Sequence, residues 1–145
     1  MFKHLLVPSD GSRTAARAFR AAVDFAAHSG GRITGYHALD DMNVIHSGVH
    51  RAAGPLAEFD RRSREAAEAH LGELGRIAQA AGVPFDWKVG RGGEPHLGIV
   101  HAAKAARCDL IFIASHGHRG LARLVLGSVT AKVLAHTTIP VLVYR

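Results

Sequence analysis

The 145-residue chain has one cysteine, few aromatic residues and no long apolar run, and each shortage excludes a class of protein. Cys108 stands alone and cannot form an internal disulfide, so the sequence favours a reducing compartment. Aromatic residues make up 6% of the chain, too few for the base-stacking surface of many nucleic-acid-binding modules. No apolar run approaches the length that spans a bilayer. A secreted disulfide scaffold and a membrane-spanning protein are therefore excluded as interpretations of the sequence.

The length and the first residues predict one cytoplasmic domain. A chain in which 48% of the residues are hydrophobic can bury a proper core, and its length fits a single domain over residues 1–145. The opening segment MFKHLLVPSDGS has neither the apolar stretch nor the small-residue cleavage site of a signal peptide. We therefore expect a cytoplasmic location and no membrane partner.

The charge balance favours anionic partners. The formal net charge is +6, and 14 arginines stand against 4 lysines. Most of the arginines are dispersed over predicted helix faces, which argues against a nucleic-acid partner and for solvated surfaces. Arg119 and Arg123 differ because they flank a glycine-bearing loop, from which they could reach a phosphate.

Short apolar segments alternate with segments of helical periodicity along the whole chain. The predicted strands are His4–Val7, Ile33–Leu39, Phe85–Val89, Leu110–Ala114 and Val141–Tyr144. The predicted helices run from Ser12 to about His28, from Pro55 to Ala81, from Pro95 to about Arg107, and from Ser128 to His136. An irregular, histidine-containing loop is predicted over Asp40 to Gly54. Five strands interleaved with four helices predict an α/β fold, a parallel sheet covered on both faces.

The stretch from Leu110 to Ser128 carries the strongest functional signal, because a strand, a glycine-bearing loop and a helix start follow one another. Free backbone N–H groups and partial positive charge at a helix N-terminus suit phosphate. We expect Ser128 to cap that helix. The motif is not a Walker-type P-loop, since no lysine precedes Ser128. Such a turn can also be a plain connection, so spacing alone leaves both interpretations open.

A second polar loop, Pro8 to Gly11, follows the first strand. In an open parallel sheet, ligands bind beyond the carboxyl ends of strands where the strand order reverses. If the first and fourth strands are neighbours, the two loops form one cleft. Asp10 could accept hydrogen bonds from a ribose or base edge, or it could cap the first helix or its turn.

The sequence resembles the universal stress protein family over nearly its whole length. The segments that carry the resemblance are VPSDGS at Val7 to Ser12, GGEP at Gly92 to Pro95, and the stretch from Asp109 to Arg145. Nucleotide-binding members of that family carry G-x-x-G-x9-G-[ST]. Here the pattern falls on Ala114, Gly117, Gly127 and Ser128. Ala114 departs from it, and its methyl group would narrow the ribose or phosphate approach if its φ were positive.

The resemblance implies a flavodoxin-like, Rossmann-like doubly wound sheet in the order 3-2-1-4-5, and binding of ATP with Mg²⁺ held mainly by the phosphates. The residues that it places around the base and ribose are Pro8, Ser9, Asp10, Ala38 and Ala114. The residues that it places around the phosphates are His116, Gly117, Gly127, Ser128, Val129 and Thr130. It also implies a homodimer paired through the last strand, at Val141, Leu142 and Val143. The implied role is regulatory or stress-adaptive, with at most slow hydrolysis or autophosphorylation.

Other interpretations stay open beside this one. Some relatives keep the fold and the dimer without nucleotide, so a dimeric interaction module is the alternative function. No catalytic residue is assigned, because only proximity favours His116 and His118 as bases. No metal ligand is assigned either: His46 and His50 join those two as candidates, but no cysteine or carboxylate completes a zinc spacing. We expect Gly127→Val to block nucleotide binding and to leave the fold intact.

Overall fold

Five parallel strands form one sheet in the order β3-β2-β1-β4-β5, which confirms the order that the resemblance implies. The computed structural model describes residues 1–39, 53–90, 93–116 and 126–145, and over residues 53–56 it describes the backbone alone. The strands are β1 (His4–Pro8), β2 (Arg32–Ala38), β3 (Phe85–Gly90), β4 (Leu110–Ala114) and β5 (Val141–Tyr144). Each predicted strand is present within one residue at either end.

Four helices connect these strands in the described residues, as predicted. They are α1 (Arg13–Ser29), α2 (Ala53–Ala80), α3 (Pro95–Ala105) and α4 (Ser128–His136). Two boundaries differ from the prediction by two residues, and the others agree within one residue. Helix α2 begins two residues before Pro55, inside the segment predicted to be irregular, and the rest of that segment lies outside the described residues. Helix α3 ends at Ala105 because Arg107 adopts a left-handed conformation, with a φ of 55°.

Local chemistry explains where α1 and α4 begin. The Ser12 hydroxyl accepts a hydrogen bond from the Ala15 N–H, so the predicted cap of α1 is confirmed. The predicted cap of α4 is wrong. Gly127 occupies the cap position with extended backbone and no side-chain bond, and Ser128 is already the first helical residue. The Ser128 hydroxyl is therefore not used to cap the helix.

Strands β1, β2 and β4 are buried over most of their length, as their apolar residues predict, whereas β3 and β5 at the sides of the sheet are partly exposed. On one face Leu5 and Val7 pack with Phe19 of α1 and Leu71 of α2. On the other face Leu6 and Ile111 pack with residues of α3 and α4 such as Ile99 and Val133. Full burial of such an aliphatic or aromatic side chain contributes about 1.5 to 3 kcal/mol. The two layers fix the positions of the helix starts relative to the strand ends.

Tyr36 of β2 ties β3 to α3. Its side chain is 5% exposed. A Cβ atom added at Gly90 would lie 1.8 Å from the Tyr36 hydroxyl oxygen, and one added at Gly98 would lie 2.3 Å from it. Both glycines are needed because the tyrosine ring fills the space that a side chain would occupy. In the part of the chain that the structure describes, no helix is long and apolar enough to cross a membrane.

Candidate functional site

The carboxyl ends of β2, β1 and β4 lie side by side along one end of the sheet, which we call the carboxyl edge. Strands β1 and β4 are paired, with Leu5 opposite Leu110 and Leu6 opposite Ile111. Strand order reverses between them, because β2 and β3 continue on one side and β5 on the other. Open α/β sheets bind ligands at such a reversal. The predicted cleft therefore has the topology that it requires.

The loop after β1 is held by its own side chains. The Ser9 N–H donates to the Tyr36 carbonyl at 2.8 Å. The Asp10 Oδ1 atom accepts the Ser12 N–H at 2.9 Å, and Gly11 has a φ of 78°. Of the two roles that the sequence left open for Asp10, the structure shows the one in which it stabilises the turn. The residue is exposed at the carboxyl edge. Pro8 and Ala38, the last residues of β1 and β2, are half-buried beside this loop.

A histidine from α2 also contacts this loop. This contact was not predicted from the sequence. His70 Nε2 and Ser9 Oγ share a hydrogen bond of 2.7 Å across 61 positions of the chain. The His70 ring also meets the His37 ring edge-on, with centroids 6.1 Å apart. Ser9 is 5% exposed, so its hydroxyl points into the protein and towards α2. The helical spacing of α2 predicts that His70 adjoins the buried Leu71, but it does not reveal which loop His70 meets.

The start of α4 is attached directly to the end of β4. The Gly127 N–H donates to the Ser115 carbonyl at 2.8 Å. The Thr130 hydroxyl donates to the Ala114 carbonyl at 2.9 Å, and Thr130 is 4% exposed. Thr130 therefore positions the helix, with its hydroxyl proton committed to the backbone. These two bonds fix the N-terminus of α4 beside the reversal point.

Three backbone amides and one hydroxyl lie at that N-terminus. The first bond of the helix ladder runs from the Ala131 N–H to the Gly127 carbonyl at 2.9 Å, so the N–H groups of Ser128, Val129 and Thr130 precede it. Ser128 and Val129 are exposed, and the first turn carries no acidic residue. Among the described residues, the Ser128 hydroxyl has no hydrogen-bond partner. This arrangement suits an anion.

Gly127 is required by close packing. A Cβ atom at this position would lie 2.9 Å from the Ser115 carbonyl oxygen and 3.4 Å from the His116 Cα. A valine would therefore push β4 and α4 apart. Gly127→Val would therefore disturb the packing of α4 on β4 as well as any bound ligand, and a substitution at Ser128 is a cleaner test of the site.

Ala114 fits the site without backbone strain. It lies in regular β4 and is not among the residues with positive φ. Its side chain is 6% exposed and belongs to the apolar cluster on the α1 side of the sheet. The narrowing expected of an alanine with positive φ therefore does not arise from its backbone conformation.

His116 is half-buried at the start of the loop that follows β4. Its Nδ1 atom and the Ser115 hydroxyl share a hydrogen bond of 2.9 Å, and its buried Nε2 atom has no hydrogen-bond partner among the described residues. Six residues considered for phosphate, catalysis or metal lie outside the described residues. They are Gly117, His118, Arg119 and Arg123, and in the other loop His46 and His50.

Charged groups next to α4 are largely paired. Lys132 Nζ donates to Glu94 Oε2 at 2.8 Å, and this bond with the lysine charge lowers the pKa of Glu94. His96 is 5% exposed and packs against the His136 ring at a centroid distance of 4.7 Å. Burial lowers the pKa of His96, and the charges of His136 and Lys132 lower it further, against an opposing effect of Glu94. Lys132 is therefore committed to Glu94, and the polar groups described at the N-terminus of α4 are backbone amides and the Ser128 hydroxyl.

Within residues 1–39, 53–90, 93–116 and 126–145, no three histidine, cysteine, aspartate or glutamate side chains are grouped closely enough to hold a metal ion. A divalent cation at the carboxyl edge would need ligands from a bound molecule, from water or from other parts of the chain.

Comparison with known proteins agrees with this geometry. The model of the Universal stress protein family matches residues 1–145. Universal stress protein MJ0531 of Methanocaldococcus jannaschii is 26% identical over 145 residues, covering 100% of this chain and 83% of that protein. The structure of universal stress protein UspA from Lactobacillus plantarum has 26% identity and a TM-score of 0.84, covering 99% of this chain and 98% of the other. A universal stress protein solved in complex with cAMP has 26% identity and a TM-score of 0.72, covering 99% of this chain and 97% of the other.

Proposed function

The chain belongs to the universal stress protein family, and we propose that it binds an adenine nucleotide, ATP with Mg²⁺, at the carboxyl edge. The observation that carries the proposal is the N-terminus of α4. Its first amides and the Ser128 hydroxyl, which has no hydrogen-bond partner in the part of the chain that the structure describes, lie beside the β1–β4 reversal and are held there by the bonds of Gly127 and Thr130. The relative of known structure in complex with cAMP supports an adenine nucleotide as the ligand class.

In this proposal the phosphates contact the amides of Ser128 and Val129, and the base and ribose lie over Pro8, Asp10 and Ala38. Helix-terminal amides carry partial positive charge without a lysine, which accounts for binding without a Walker motif. Mg²⁺ would be held mainly by the phosphate oxygens and water. Gly117 and His116 complete the phosphate side of the proposed site.

We propose a regulatory role with at most slow hydrolysis or autophosphorylation. Ser9 and His70 form a hydroxyl–imidazole pair, but it lies on the ribose side, and Ser9 is buried. Thr130 donates to a backbone carbonyl instead of a ligand. Bound nucleotide would then act by biasing the protein's shape or partner choice, in a cytoplasmic setting where the free thiol of Cys108 stays reduced.

The test is a calorimetric titration of nucleotide-stripped protein with MgATP. The proposal predicts micromolar binding near one nucleotide per chain. No heat at millimolar ATP, at two temperatures, would contradict it and favour the alternative, a nucleotide-free dimeric interaction module. Phosphate release measured in the same samples separates a binding protein from an ATPase with real turnover.

The proposal includes a homodimer through β5, at Val141, Leu142 and Val143. Strand β5 is the last in the sheet order and is half-buried. The Pro140 carbonyl accepts the Ile111 N–H, and the Tyr144 carbonyl accepts the Ser115 N–H. Successive residues of a parallel strand direct their backbone groups to opposite sides, so those of Val141 and Val143 point away from β4. A second copy of this strand would cover them.

Sedimentation of two proline variants tests this dimer. Val143→Pro removes an outward N–H from β5, and Val89→Pro does the same on β3 at the opposite side of the sheet. The proposal predicts that Val143→Pro sediments as a monomer and Val89→Pro as a dimer. The reverse pattern, or a wild-type monomer at high concentration, would contradict it.

A further inference from the structure

Helix α2 is joined to the carboxyl edge through the side chain of His70. Its Nε2 atom shares the hydrogen bond of 2.7 Å with Ser9 Oγ, across 61 positions of the chain. Ser9 directly follows β1 and belongs to the loop from Pro8 to Gly11, over which the base and ribose are proposed to lie. The bond therefore connects a helix outside the proposed nucleotide site to a loop inside it.

The packing of α2 determines where His70 points. Leu71, the next residue, is fully buried and packs in the apolar cluster that includes Leu5 and Val7 of β1. Successive residues of an extended chain project to opposite faces, so Ser9 follows Val7 on the same side as α2. His70 is half-buried beside Leu71. Its imidazole thus meets the chain just beyond the end of β1.

The Ser9 side chain transmits this contact to the loop. Its Oγ atom also accepts the Gly11 N–H in a longer bond of 3.4 Å, and the Ser9 N–H is bonded to the Tyr36 carbonyl. The backbone of Ser9 is therefore held by β2 and its side chain by α2. One end of the turn that carries Asp10 is fixed in this way, and the Ser12 N–H fixes the other end by donating to Asp10.

The Ser9–His70 bond is costly to lose. Ser9 is 5% exposed, and a buried hydroxyl that loses its partner keeps the cost of desolvation without compensation. The His37 ring at the end of β2 meets His70 edge-on, with centroids 6.1 Å apart, and so restricts rotation of the imidazole. Removal of the imidazole would leave the Ser9 hydroxyl to find another partner, and the loop would no longer be held in one form.

The phosphate side of the proposed site is supported by a different part of the fold. The start of α4 is attached to β4 and its end, through the bonds from Thr130 to Ala114 and from Gly127 to Ser115. Neither bond involves α2. A change at His70 should therefore affect binding of the nucleoside part of a ligand and leave binding of its phosphates unchanged.

We propose that His70 is a positioning residue of the nucleotide site, an inference that rests on the proposed function. By holding Ser9, His70 keeps the loop from Pro8 to Gly11 in the form that receives the ribose and base. A loop that is already ordered loses less conformational freedom when a ligand binds. Helix α2 thereby sets how strongly the protein prefers a nucleotide to a bare polyphosphate.

The test is a pair of NMR titrations of the full chain, with MgATP and with magnesium tripolyphosphate, followed at the Ser128 and Val129 amides. Both ligands carry a triphosphate, but only ATP carries a base and a ribose. His70→Ala should weaken MgATP binding about tenfold, the effect of one hydrogen bond, and leave tripolyphosphate binding unchanged. Equal weakening of both ligands, or unchanged MgATP binding, would overturn the proposal.

A double-mutant cycle tests whether the Ser9–His70 bond causes the effect. Ser9→Ala should weaken MgATP binding as much as His70→Ala does, and the double variant should bind as well as either single variant. His70→Gln keeps a group that can bond the Ser9 hydroxyl and should restore most of the affinity. A double variant whose loss is the product of the single losses, or a glutamine variant that binds as weakly as His70→Ala, would overturn the proposal.

Two control variants separate positioning from general effects. Ala67→Gly weakens α2 at a buried position one turn from His70 and keeps the bond to Ser9. His101→Ala removes an exposed imidazole from α3. Both should leave the ratio of the two affinities unchanged, and a changed ratio in either variant would overturn the positioning role.

The wild-type titration distinguishes the two proposals. A wild-type protein that does not bind MgATP overturns the nucleotide site and the role of His70 together. A wild-type protein that binds MgATP no better than His70→Ala does overturns the role of His70 alone.

Discussion

The two ends of the sheet present different kinds of polar group, backbone amides at one end and side chains at the other. At the carboxyl edge the proposed binding groups are backbone amides of α4, positioned by glycine and by a buried hydroxyl bond. At the opposite end, the amino edge where β1, β2 and β3 begin, the buried polar groups are side chains, among them the His4 imidazole and the Thr34 hydroxyl. A backbone site survives most side-chain changes, whereas an arrangement of side chains can be removed by one substitution.

Both ends of the sheet keep features that cost stability. At the carboxyl edge the Ser9–His70 and Thr130–Ala114 bonds satisfy two buried hydroxyls, but the buried His116 Nε2 atom has no hydrogen-bond partner among the described residues. At the amino edge the buried His4 imidazole bonds Thr34 and the Arg107 backbone, and Arg107 itself adopts a left-handed conformation. Native structures retain such features at functional positions more often than elsewhere.

The largest predicted effect is a loss of nucleotide binding at the carboxyl edge, caused by one added charge. Ser128→Asp places a carboxylate among the free amides of α4, where it repels phosphate and competes for the same donors. We expect nucleotide affinity to fall by ~100-fold or more in calorimetry. The fold should be unchanged or slightly stabilised, because an acidic residue in the first turn of a helix is favourable.

Ser128→Ala is the matched control for that substitution. It removes one hydroxyl and leaves the amides, so affinity should fall by roughly tenfold or less. Equal binding by Ser128→Asp and the wild-type protein would show that the phosphates lie elsewhere.

The next effect concerns the tyrosine that joins β3 to α3. Gly98→Ala would ordinarily stabilise a helix, but its Cβ atom would lie 2.3 Å from the Tyr36 hydroxyl. We expect the free energy of unfolding to drop by about 1 to 3 kcal/mol in denaturant titrations. The double variant Tyr36→Phe/Gly98→Ala should recover most of the loss, since the nearest remaining ring atom is 3.3 Å away. No recovery would mean that the strain lies elsewhere.

Two buried histidines, His4 and His96, predict that the stability of the protein depends on pH. Burial lowers the pKa of His4, helped by the Arg32 charge, and burial likewise lowers the pKa of His96. In the unfolded chain the two histidines become protonated near pH 6.5, whereas in the folded protein both rings stay neutral at that pH. Stability is therefore fully present above that pH and falls as the pH drops below it.

Denaturant titrations at several pH values locate this response. If His4 causes the loss of stability at low pH, His4→Gln should make the free energy of unfolding less dependent on pH. If His96 at the α3–α4 contact causes it, His96→Gln should have that effect. A pH profile that neither variant changes would exclude both rings as its source.

The smallest effect concerns Arg107, just beyond α3 at the amino edge. A left-handed arginine is strained, and glycine adopts this conformation freely. Arg107→Gly should raise the free energy of unfolding by about 0.5 to 1 kcal/mol in denaturant titrations. An unchanged or lower free energy of unfolding would show that the left-handed conformation of Arg107 carries no strain.

The sequence predicted features that are local along the chain. Strand alternation, the Ser12 cap and the glycine-bearing turn before α4 are visible within a few residues, and the structure confirms the strands and that cap. The strand order came from the family resemblance. Ser128 was assigned the wrong role at the start of α4 because propensity favours serine as a cap, whereas close packing on the Ser115 carbonyl requires glycine there.

The rest could not be predicted because it depends on residues far apart in the chain. Ser9 meets His70 across 61 positions, and His4 meets Thr34 across 30. The starts of β1 and β2 share no motif, and only the register of these two strands brings His4 and Thr34 together.

The most direct test of the central claim is an amide NMR spectrum of the full chain with and without saturating MgATP. If the nucleotide binds at the carboxyl edge, the amides of Ser9, Asp10, Gly127, Ser128 and Val129 shift, and those of Thr34 and Lys88 stay in place. A spectrum that does not change, or changes only at the amino edge, would contradict the account.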